Sequence, residues 1–352
     1  MNMCTSAIEK IRISRFGPFD GSYDLSFVPG INVIVGDNGT GKSQLLKLLY
    51  SCTQVLQDES FEHTKTAIQR RIAEKLVGVF CPDSLGRLVT RQQGRAKTEV
   101  SVSYEGSRKP LSFSFATNSK SEVRLESMPD DLRKAVPVYL PSRELMSIYP
   151  GFVSLYNTHQ LEFDETMRDT CSLLGLPPLR RNSSSGVVQA LQPIEAILGG
   201  RVEQVGDRFY LNGRPEGNFE MPLLAEGLRK LSTIARLVQC GVLLDKGYLF
   251  WDEPEANLNP ASQIAIVQTI LALAKNGIQI FLGTHSAFLL RQLFLESKRG
   301  DAPSIRLTAL RRSGERGTHI DMVQGDDLED VDLEYLAAIK TEYDQADAIL
   351  AE

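Results

Sequence analysis

The stretch GDNGTGKSQLLKLLY, residues 36–50, decides the fold. It directly follows the apolar run INVIV, residues 31–35, which is typical of a strand buried on both faces. Residues 42–56 gather leucines on one side and predict a helix. The pattern of a phosphate-binding loop, G-x-x-x-x-G-K-[ST], is satisfied by Gly36, Gly41, Lys42 and Ser43. A plain glycine-rich turn is the alternative, but the strand before it and the helix after it favour the loop.

Each residue type in this loop has a physical role at a nucleotide. Glycines let backbone N–H groups converge on phosphate oxygens, and the N-terminus of the next helix favours the same negative charge. Lys42 is expected to reach the β- and γ-phosphates, and the Ser43 hydroxyl to bind Mg²⁺. The sequence thus predicts ATP and Mg²⁺ as cofactors, with nucleotide contacts from Asn38, Gly39, Thr40, Gly41, Lys42, Ser43 and Gln44.

YLFWDEPEANLNP, residues 248–260, predicts the second half of the site. Asp252 ends an apolar strand, where P-loop enzymes hold Mg²⁺, and Glu253 follows it. Adjacent carboxylates repel each other unless a cation lies nearby. We therefore expect Asp252 to hold the metal and Glu253 to act as general base on the attacking water. A charged turn that only ends the strand is the alternative.

A histidine follows at the end of the next predicted strand, in FLGTHS. We expect His285 to contact the γ-phosphate or to orient the attacking water. The predicted catalytic residues are therefore Lys42, Glu253 and His285. A histidine with a purely structural role is the alternative.

The rest of the chain predicts an α/β fold. Strands are expected over residues 8–35, a hairpin in TEVSVSYEGSRKPLSFSFA, a strand in VPVYLPSRE that ends at Pro141, and two strands in GGRVEQVGDRFYLNGRPEG. The last third alternates strands and helices and predicts a parallel sheet. Its predicted elements are a helix from Leu224 to Val242, strands 247–252 and 277–284, a helix over 260–275 and a helix after Ser286. Further helices are predicted over 61–76, 154–175 and 328–350, the last of them acidic.

Composition excludes several classes of protein. The chain has 352 residues, a net charge of -5, 42% hydrophobic and 24% charged residues. These values are typical of a water-soluble globular protein and give no global signal for nucleic acid. No run approaches the ~18 apolar residues of a membrane span, and no signal peptide is recognisable. The five cysteines are scattered, so reduced thiols and a cytoplasmic protein without membrane contact are expected.

Four stretches together resemble the ATP-binding-cassette (ABC) ATPases, in the soluble branch of the structural-maintenance-of-chromosomes (SMC) and RecF-type proteins. They are IEKIRISRFGPFDGSYDLSFVPGINVIVGDNGTGKS, LAEGLRK, WDEPEANLNP and GTHS. The resemblance implies a P-loop NTPase fold, similar to an ABC-ATPase head, with a mixed and mainly parallel core sheet and antiparallel N-terminal strands. It implies an ATPase core, lobe I, from residues 1–56 and 223–320. An inserted lobe II of helices and β-structure covers 57–222, and 321–352 form an acidic C-terminal helix.

The resemblance also implies a homodimer that sandwiches two ATPs, with higher oligomers possible for this branch. Each nucleotide then lies between the phosphate-binding loop of one subunit and the signature motif of the other. Here the usual Leu-Ser-Gly-Gly signature has become Leu224-Ala225-Glu226-Gly227, which implies slow turnover. Gly227 N–H and Arg229 are the expected contacts to the opposite nucleotide. The Q-loop is assigned to Ser142, Arg143 or Glu144, and the D-loop core to Asn257, Leu258 and Asn259.

The chain has no heptads for SMC coiled-coil arms and no recognisable nuclease motif. Its LPSRE and AEGLRK stretches resemble the stand-alone ATPases related to the OLD family. Many of these act in bacterial anti-phage systems beside a separate nuclease or toxin, and the same role is expected here.

Two other functions stay open. A RecF-like repair ATPase would bind DNA through the basic run Arg87, Arg91, Arg95 and Lys97, either on one helix face or along a hairpin; a solvated face is the plain alternative. ATP could instead be a stable cofactor that holds an oligomer together. An ABC transporter subunit fits less well, because the usual signature is missing. The acidic C-terminal helix either covers the ATPase sheet, which we favour, or docks a partner protein.

Overall fold

A computed structural model describes residues 7–57, 64–130, 135–159, 161–179, 185–215, 217–244, 247–300, 302–314 and 319–351. Within these ranges the chain has an α/β fold with three β-sheets. The strands are β1 Ile8–Phe16, β2 Phe19–Ser26, β3 Ile31–Gly36, β4 Lys97–Tyr104, β5 Leu111–Ala116, β6 Arg124–Ser127, β7 Pro137–Leu140, β8 Arg201–Val205, β9 Arg208–Arg214, β10 Gly217–Glu220, β11 Tyr248–Asp252, β12 Gln279–Thr284, β13 Ile305–Ser313 and β14 His319–Gly325.

The helices lie mainly after strands of the central sheet. They are α1 Lys42–Gln57, α2 Lys65–Phe80, α3 Phe152–Thr158, α4 Glu165–Leu174, α5 Ser185–Leu198, α6 Glu226–Gln239, α7 Pro260–Lys275, α8 Ala287–Ser297 and α9 Ala337–Leu350. Short 3₁₀ turns cover Leu85–Leu88, Met221–Leu223, Leu328–Asp330 and Leu333–Tyr335.

The central sheet has the strand order β14-β13-β3-β12-β11-β7. Its pairs are parallel except for β13 with β14, so the predicted mixed and mainly parallel core sheet is confirmed. Every residue of β3 and β12 is buried, as their continuous apolar runs predict. Because parallel strands end at the same edge of a sheet, the carboxyl ends of β3, β11 and β12 are brought together.

Alternate residues of the central strands face two separate cores. Val33 and Val35 of β3 belong to one core with the helices α4–α8, whereas Ile34 belongs to the other with α1 and α2. The second core also contains the inner face of an antiparallel sheet with the order β2-β1-β4-β5-β6. The predicted N-terminal strands and the β4–β5 hairpin are thus confirmed. A third sheet, β10-β9-β8, contains the two strands predicted around Gly206 and a third strand.

Several predicted boundaries were wrong. The helix expected over 61–76 is α2, which starts after the N-cap Thr64 and runs on to Phe80; residues 61–63 lie outside the described ranges. The helix expected over 154–175 is two helices, because Asp164 caps a new one. The sequence did not predict α5, β13 or β14.

The predicted helix over 328–350 was too long at its start. Asp327 and Asp332 cap two short 3₁₀ turns, and the regular helix α9 begins only at Ala337. Val331, Leu336 and Ile339 are buried against the core, but the helix is exposed from residue 340 onward. The predicted role as a cover therefore holds for the start of this segment and not for its last turns.

The sheets cross the boundary at residue 57 that the sequence suggested between two lobes. Strand β7 extends the central sheet beside β11, and β4–β6 extend the N-terminal sheet. Both belong to the range 57–222 expected to form lobe II. The division into lobes itself stays a prediction. Within the described ranges, no helix combines the length and the apolar character needed to cross a bilayer.

Candidate functional site

The phosphate-binding loop connects β3 to α1. Gly39 and Gly41 have φ of 79° and 102°, in the left-handed region that favours glycine. A Cβ atom at Gly41 would lie 2.8 Å from both Pro18 Cγ and Phe19 Cζ. Thr40 is buried, and its hydroxyl donates to the Asp37 carbonyl over 2.8 Å. The loop is therefore closed by its own hydrogen bond and packed so tightly at Gly41 that a side chain does not fit.

The Lys42 side chain folds back into the loop. Its Nζ donates to the carbonyls of Gly36 at 2.7 Å and Asp37 at 3.1 Å. Burial lowers the pKa of this ammonium, while the negative charges of Glu253 and Asp252 oppose that effect. The cation is thus held in the loop within the field of the two predicted acidic residues.

Asp252 ends β11, where it pairs with Gly283 of the neighbouring strand β12. Its Oδ2 accepts a hydrogen bond from the Tyr139 hydroxyl at 3.4 Å. Its Oδ1 is buried and has no hydrogen-bond partner within the described part of the chain. Burial raises the pKa of the Asp252 carboxyl, although the nearby Ser43 hydroxyl lowers it. An unsatisfied buried carboxylate oxygen is costly.

Ser43 and Asp252 suit a Mg²⁺ ion. Magnesium prefers oxygen ligands and is usually held by one or two protein oxygens together with the substrate's phosphates and water. A hydroxyl and a carboxylate with a free oxygen meet at the mouth of the phosphate-binding loop, as that coordination needs.

Glu253 and His285 form a pair beside this site. Glu253 has φ of 47°, a left-handed conformation that is uncommon for glutamate, and its N–H donates to the Gly283 carbonyl over 2.8 Å. Its Oε1 lies 3.2 Å from Nδ1 of His285. The Glu253 side chain is 29% exposed, so it is accessible to water. A carboxylate oriented by an imidazole is suited to general-base work.

A third acid was not predicted from the sequence. Glu255 is buried, and its Oε1 accepts hydrogen bonds from Thr284 Oγ1 at 2.6 Å and from His285 N–H at 3.2 Å. The signal in the sequence was the Glu-Pro-Glu spacing after Asp252, which a solvated turn explains equally well.

The signature residues contact the D-loop of the same chain. Glu226 Oε1 accepts a hydrogen bond from Asn257 Nδ2 at 2.8 Å. A Cβ atom at Gly227 would lie 2.4 Å from Leu258 Cδ2, so an alanine here requires the Leu258 side chain to move. Lys230 is buried and donates to the Ala256 carbonyl over 2.7 Å. The start of α6 and the D-loop therefore form one packed unit.

Arg229 and the Q-loop residues lie near one another. Arg229 Nε is 2.9 Å from Glu144 Oε1, and both side chains are largely buried. Ser142, Arg143 and Glu144 follow β7, the neighbour of β11, so they begin beside the acidic edge. Within one subunit Arg229 thus pairs with Glu144; its contact with a nucleotide of a second subunit stays a prediction, as does the Q-loop role.

Arg312 was missed entirely. It lies on β13, and its Nη2 donates to the Gly39 carbonyl over 2.7 Å. No motif surrounds it, and only the pairing of β13 beside β3 brings it to the loop. The remaining predicted contacts, Asn38 and Gln44, are exposed at the rim of the loop and at the start of α1.

The basic run does not form one helix face. Arg87 lies on the 3₁₀ turn Leu85–Leu88, whereas Arg91 and Arg95 lie in the segment between that turn and β4. The turn ends because Val89 pairs with Phe16 in an isolated bridge. The helical alternative was therefore wrong, although all three arginines are exposed.

Comparison with known proteins assigns the chain to a family. A family model described as "AAA domain, putative AbiEii toxin, Type IV TA system" matches residues 31–291. The chromosome partition protein Smc of Synechocystis is 29% identical over 98 residues, which are 28% of this chain and 7% of that protein. This chain therefore matches only a small part of the length of that relative.

Two solved structures share the fold. One is an SMC head domain from Pyrococcus furiosus bound to the C-terminal domain of ScpA, with a TM-score of 0.54 and 12% identity over 96% of this chain and 99% of that chain. The other is an SmcHead bound to the C-winged helix domain of ScpA, with a TM-score of 0.53 and 14% identity over 92% and 98%. The fold is that of an SMC-head-like P-loop ATPase.

Proposed function

The chain belongs to this AAA-domain family, and on that premise we propose that it is a Mg²⁺-dependent ATPase that dimerises on ATP. We further propose that it acts in the cytoplasm as the sensor or switch for a separate effector, a nuclease or toxin, in bacterial anti-phage defence. The observation that carries the ATPase proposal is the meeting of Lys42, Asp252 and the Glu253–His285 pair at one sheet edge.

In the proposed reaction the phosphate tail of ATP lies in the loop around Gly41. Backbone N–H groups and the Lys42 ammonium stabilise its negative charge. Ser43 and Asp252 would hold Mg²⁺, which would supply positive charge to the phosphate oxygens. Glu253 accepts a proton from the attacking water, and His285 at 3.2 Å orients that carboxylate. The products are ADP and inorganic phosphate.

Dimerisation is proposed because the signature and the D-loop form one unit at the start of α6. The contacts of Glu226 with Asn257 and of Gly227 with Leu258 support joint movement of the two motifs. A second subunit that presents Gly227 N–H and Arg229 to the nucleotide would complete the site. Glu226 replaces the usual serine, and its negative charge near a phosphate favours slow turnover.

Two features support a role beside an effector. The family description names a toxin and a toxin–antitoxin system. The two similar SMC heads are bound to domains of another protein, ScpA, which supports the use of this fold as a docking platform. The exposed last turns of α9 are a proposed surface for such a partner.

A RecF-like DNA-binding ATPase is the second candidate. The exposure of Arg87, Arg91 and Arg95 in one short segment favours it. Neutralising all three would then weaken ATP-dependent duplex binding and flatten its dependence on salt. Duplex affinity that is absent, or insensitive to salt, contradicts this candidate. Steady-state phosphate release by the wild type would exclude ATP as a purely structural cofactor.

Binding of a fluorescent ATP analogue tests the nucleotide site. Lys42→Ala is expected to weaken binding by at least ~100-fold, since it removes a buried cation from the loop. Lys65→Ala, an exposed lysine at the start of α2, is the matched control and should bind as the wild type does. Equal affinity of Lys42→Ala and the wild type would contradict the proposal.

A further inference from the structure

Glu255 is a carboxylate enclosed between two loops of the site. It lies three residues after Asp252, and only 6% of its surface is exposed. One oxygen, Oε1, accepts from the Thr284 hydroxyl and the His285 N–H. The other, Oε2, is buried without a hydrogen-bond partner in the described residues. Keeping a carboxylate in such a place costs stability, so a plain packing role explains it poorly.

The bonds of Glu255 fix the backbone at the end of β12. Thr284 Oγ1 donates to Glu255 and accepts from Ser286 N–H at 3.0 Å, and Ser286 caps α8. The His285 main chain is therefore tied on one side to the acid and on the other to a helix. These hydrogen bonds fix the position of the His285 backbone, from which the imidazole extends.

Two carboxylates approach the same nitrogen of the His285 imidazole. Nδ1 of His285 is 3.2 Å from Glu253 Oε1 and 3.8 Å from Glu255 Oε1. Because a carboxylate accepts hydrogen bonds, the tautomer that suits these distances carries its proton on Nδ1. Glu255 thus holds the His285 backbone N–H, while Glu253 lies closest to the imidazole Nδ1.

We propose that Glu255 is a positioning residue for ATP hydrolysis. It acts by holding His285 in the position from which its side chain contacts Glu253. The inference rests on the proposed ATPase function and gives a role to an acid of the WDEPEANLNP stretch for which the sequence predicted none. Glu255 also lies in the D-loop segment that contacts α6 through Asn257 and Leu258. A shift of that segment on dimerisation would therefore move the Glu255 side chain and, through it, the Glu253–His285 pair.

Two variants distinguish the loss of the Glu255 hydrogen bonds from the loss of its negative charge. Glu255→Ala removes both hydrogen-bond acceptors, whereas Glu255→Gln keeps a carbonyl oxygen for Thr284 and His285. We expect kcat to fall by about 10- to 100-fold in Glu255→Ala, with a nucleotide Kd close to that of the wild type. Glu255→Gln should retain most of the rate. Thr284→Val should lower kcat like Glu255→Ala, and Thr284→Ser, which keeps the hydroxyl, should not.

A double-mutant cycle with His285→Ala tests the route of the effect. If Glu255 acts through the histidine, Glu255→Ala has little further effect on kcat in the His285→Ala background. Losses that multiply independently, or a Glu255→Ala variant with the wild-type kcat, would overturn the proposal. Because Glu255→Gln keeps the shape of the side chain, it is the variant to compare with the wild type if Glu255→Ala does not fold.

Hydrogen exchange gives a readout that needs no turnover. The amide of His285 should exchange faster in Glu255→Ala than in the wild type and Glu255→Gln, because its acceptor is gone. An unchanged exchange rate of the His285 amide in Glu255→Ala would show that Glu255 does not hold this backbone, and would overturn the proposal. A different result would overturn the ATPase function instead: the wild type binds ATP but never releases phosphate, while the His285 amide still exchanges faster in Glu255→Ala. Glu255 would then hold the His285 backbone but would have no catalytic role.

Discussion

At the scale of single residues, the packing around the phosphate-binding loop explains why glycine is needed at Gly41. Gly41 has a left-handed backbone and lies against Pro18 of the β1–β2 turn and Phe19 at the start of β2. The sequence pattern predicted glycine here for the sake of the phosphate. The structure adds that the N-terminal hairpin closes the loop from outside, a contact between segments that no local pattern encodes.

Gly41→Ala should therefore abolish ATP binding, because a methyl group 2.8 Å from two carbon atoms forces the loop to move. Gly94 has φ of 87° and nothing within 4 Å of an added Cβ, so Gly94→Ala is the matched control for backbone strain alone. Both variants should lose about 1–2 kcal/mol of stability in chemical denaturation. Normal ATP affinity of Gly41→Ala would show that the contact is unimportant.

At the scale of elements, a buried ionic cluster joins three helices next to the site. Asp169 of α4 accepts from Tyr50 of α1 at 2.7 Å and pairs with Lys75 of α2 at 2.5 Å. Arg168 completes it at 2.6 Å. The sequence predicted α1 and part of α2 from their apolar faces. It could not predict this cluster, since Lys75 is far in the sequence from Arg168 and Asp169, and each charge alone resembles a solvated residue.

Asp169→Asn should destabilise the protein by about 2 kcal/mol, because the buried Lys75 ammonium then keeps only the Glu165 carboxylate, at 3.3 Å, as a negative partner. Burial by itself raises the pKa of Asp169, but Lys75 and the other donors outweigh it and lower the pKa below its usual value. The stabilisation is therefore present above the unfolded-state pKa and is lost as pH falls through the folded-state pKa.

Denaturation at several pH values checks this sign. The stability difference between wild type and Asp169→Asn should be constant near neutral pH and shrink in acid. Ser172→Ala, on the exposed side of α4, serves as the control and should stay within ~0.5 kcal/mol of the wild type. A gap between wild type and Asp169→Asn that grows in acid would contradict the assignment.

At the scale of the whole molecule, the sequence predicted the fold where the periodicity was strong. The central strands β3, β11 and β12 and the helices that follow them were predicted because fully apolar runs and caps mark them. Strands β13 and β14 were missed, although β13 carries Arg312 to the phosphate-binding loop. Sheet membership of such strands depends on pairing partners and not on their own pattern.

The proposed dimer gives a prediction at this scale. Glu253→Gln, which keeps the nucleotide contacts but removes the base, should become a dimer in light scattering when ATP and Mg²⁺ are added. Gly227→Ala should remain a monomer, because a Cβ 2.4 Å from Leu258 displaces the start of α6. A Glu253→Gln protein that stays monomeric at saturating ATP would contradict the sandwich arrangement.

Steady-state phosphate release tests the central claim, that Glu253 activates water against ATP held by Lys42 and Asp252. The measurement compares wild type with Glu253→Gln at equal nucleotide occupancy. We predict measurable release by the wild type, and a rate at least ~100-fold lower in the variant with unchanged ATP affinity. Release by Glu253→Gln at the wild-type rate would show that another group is the base.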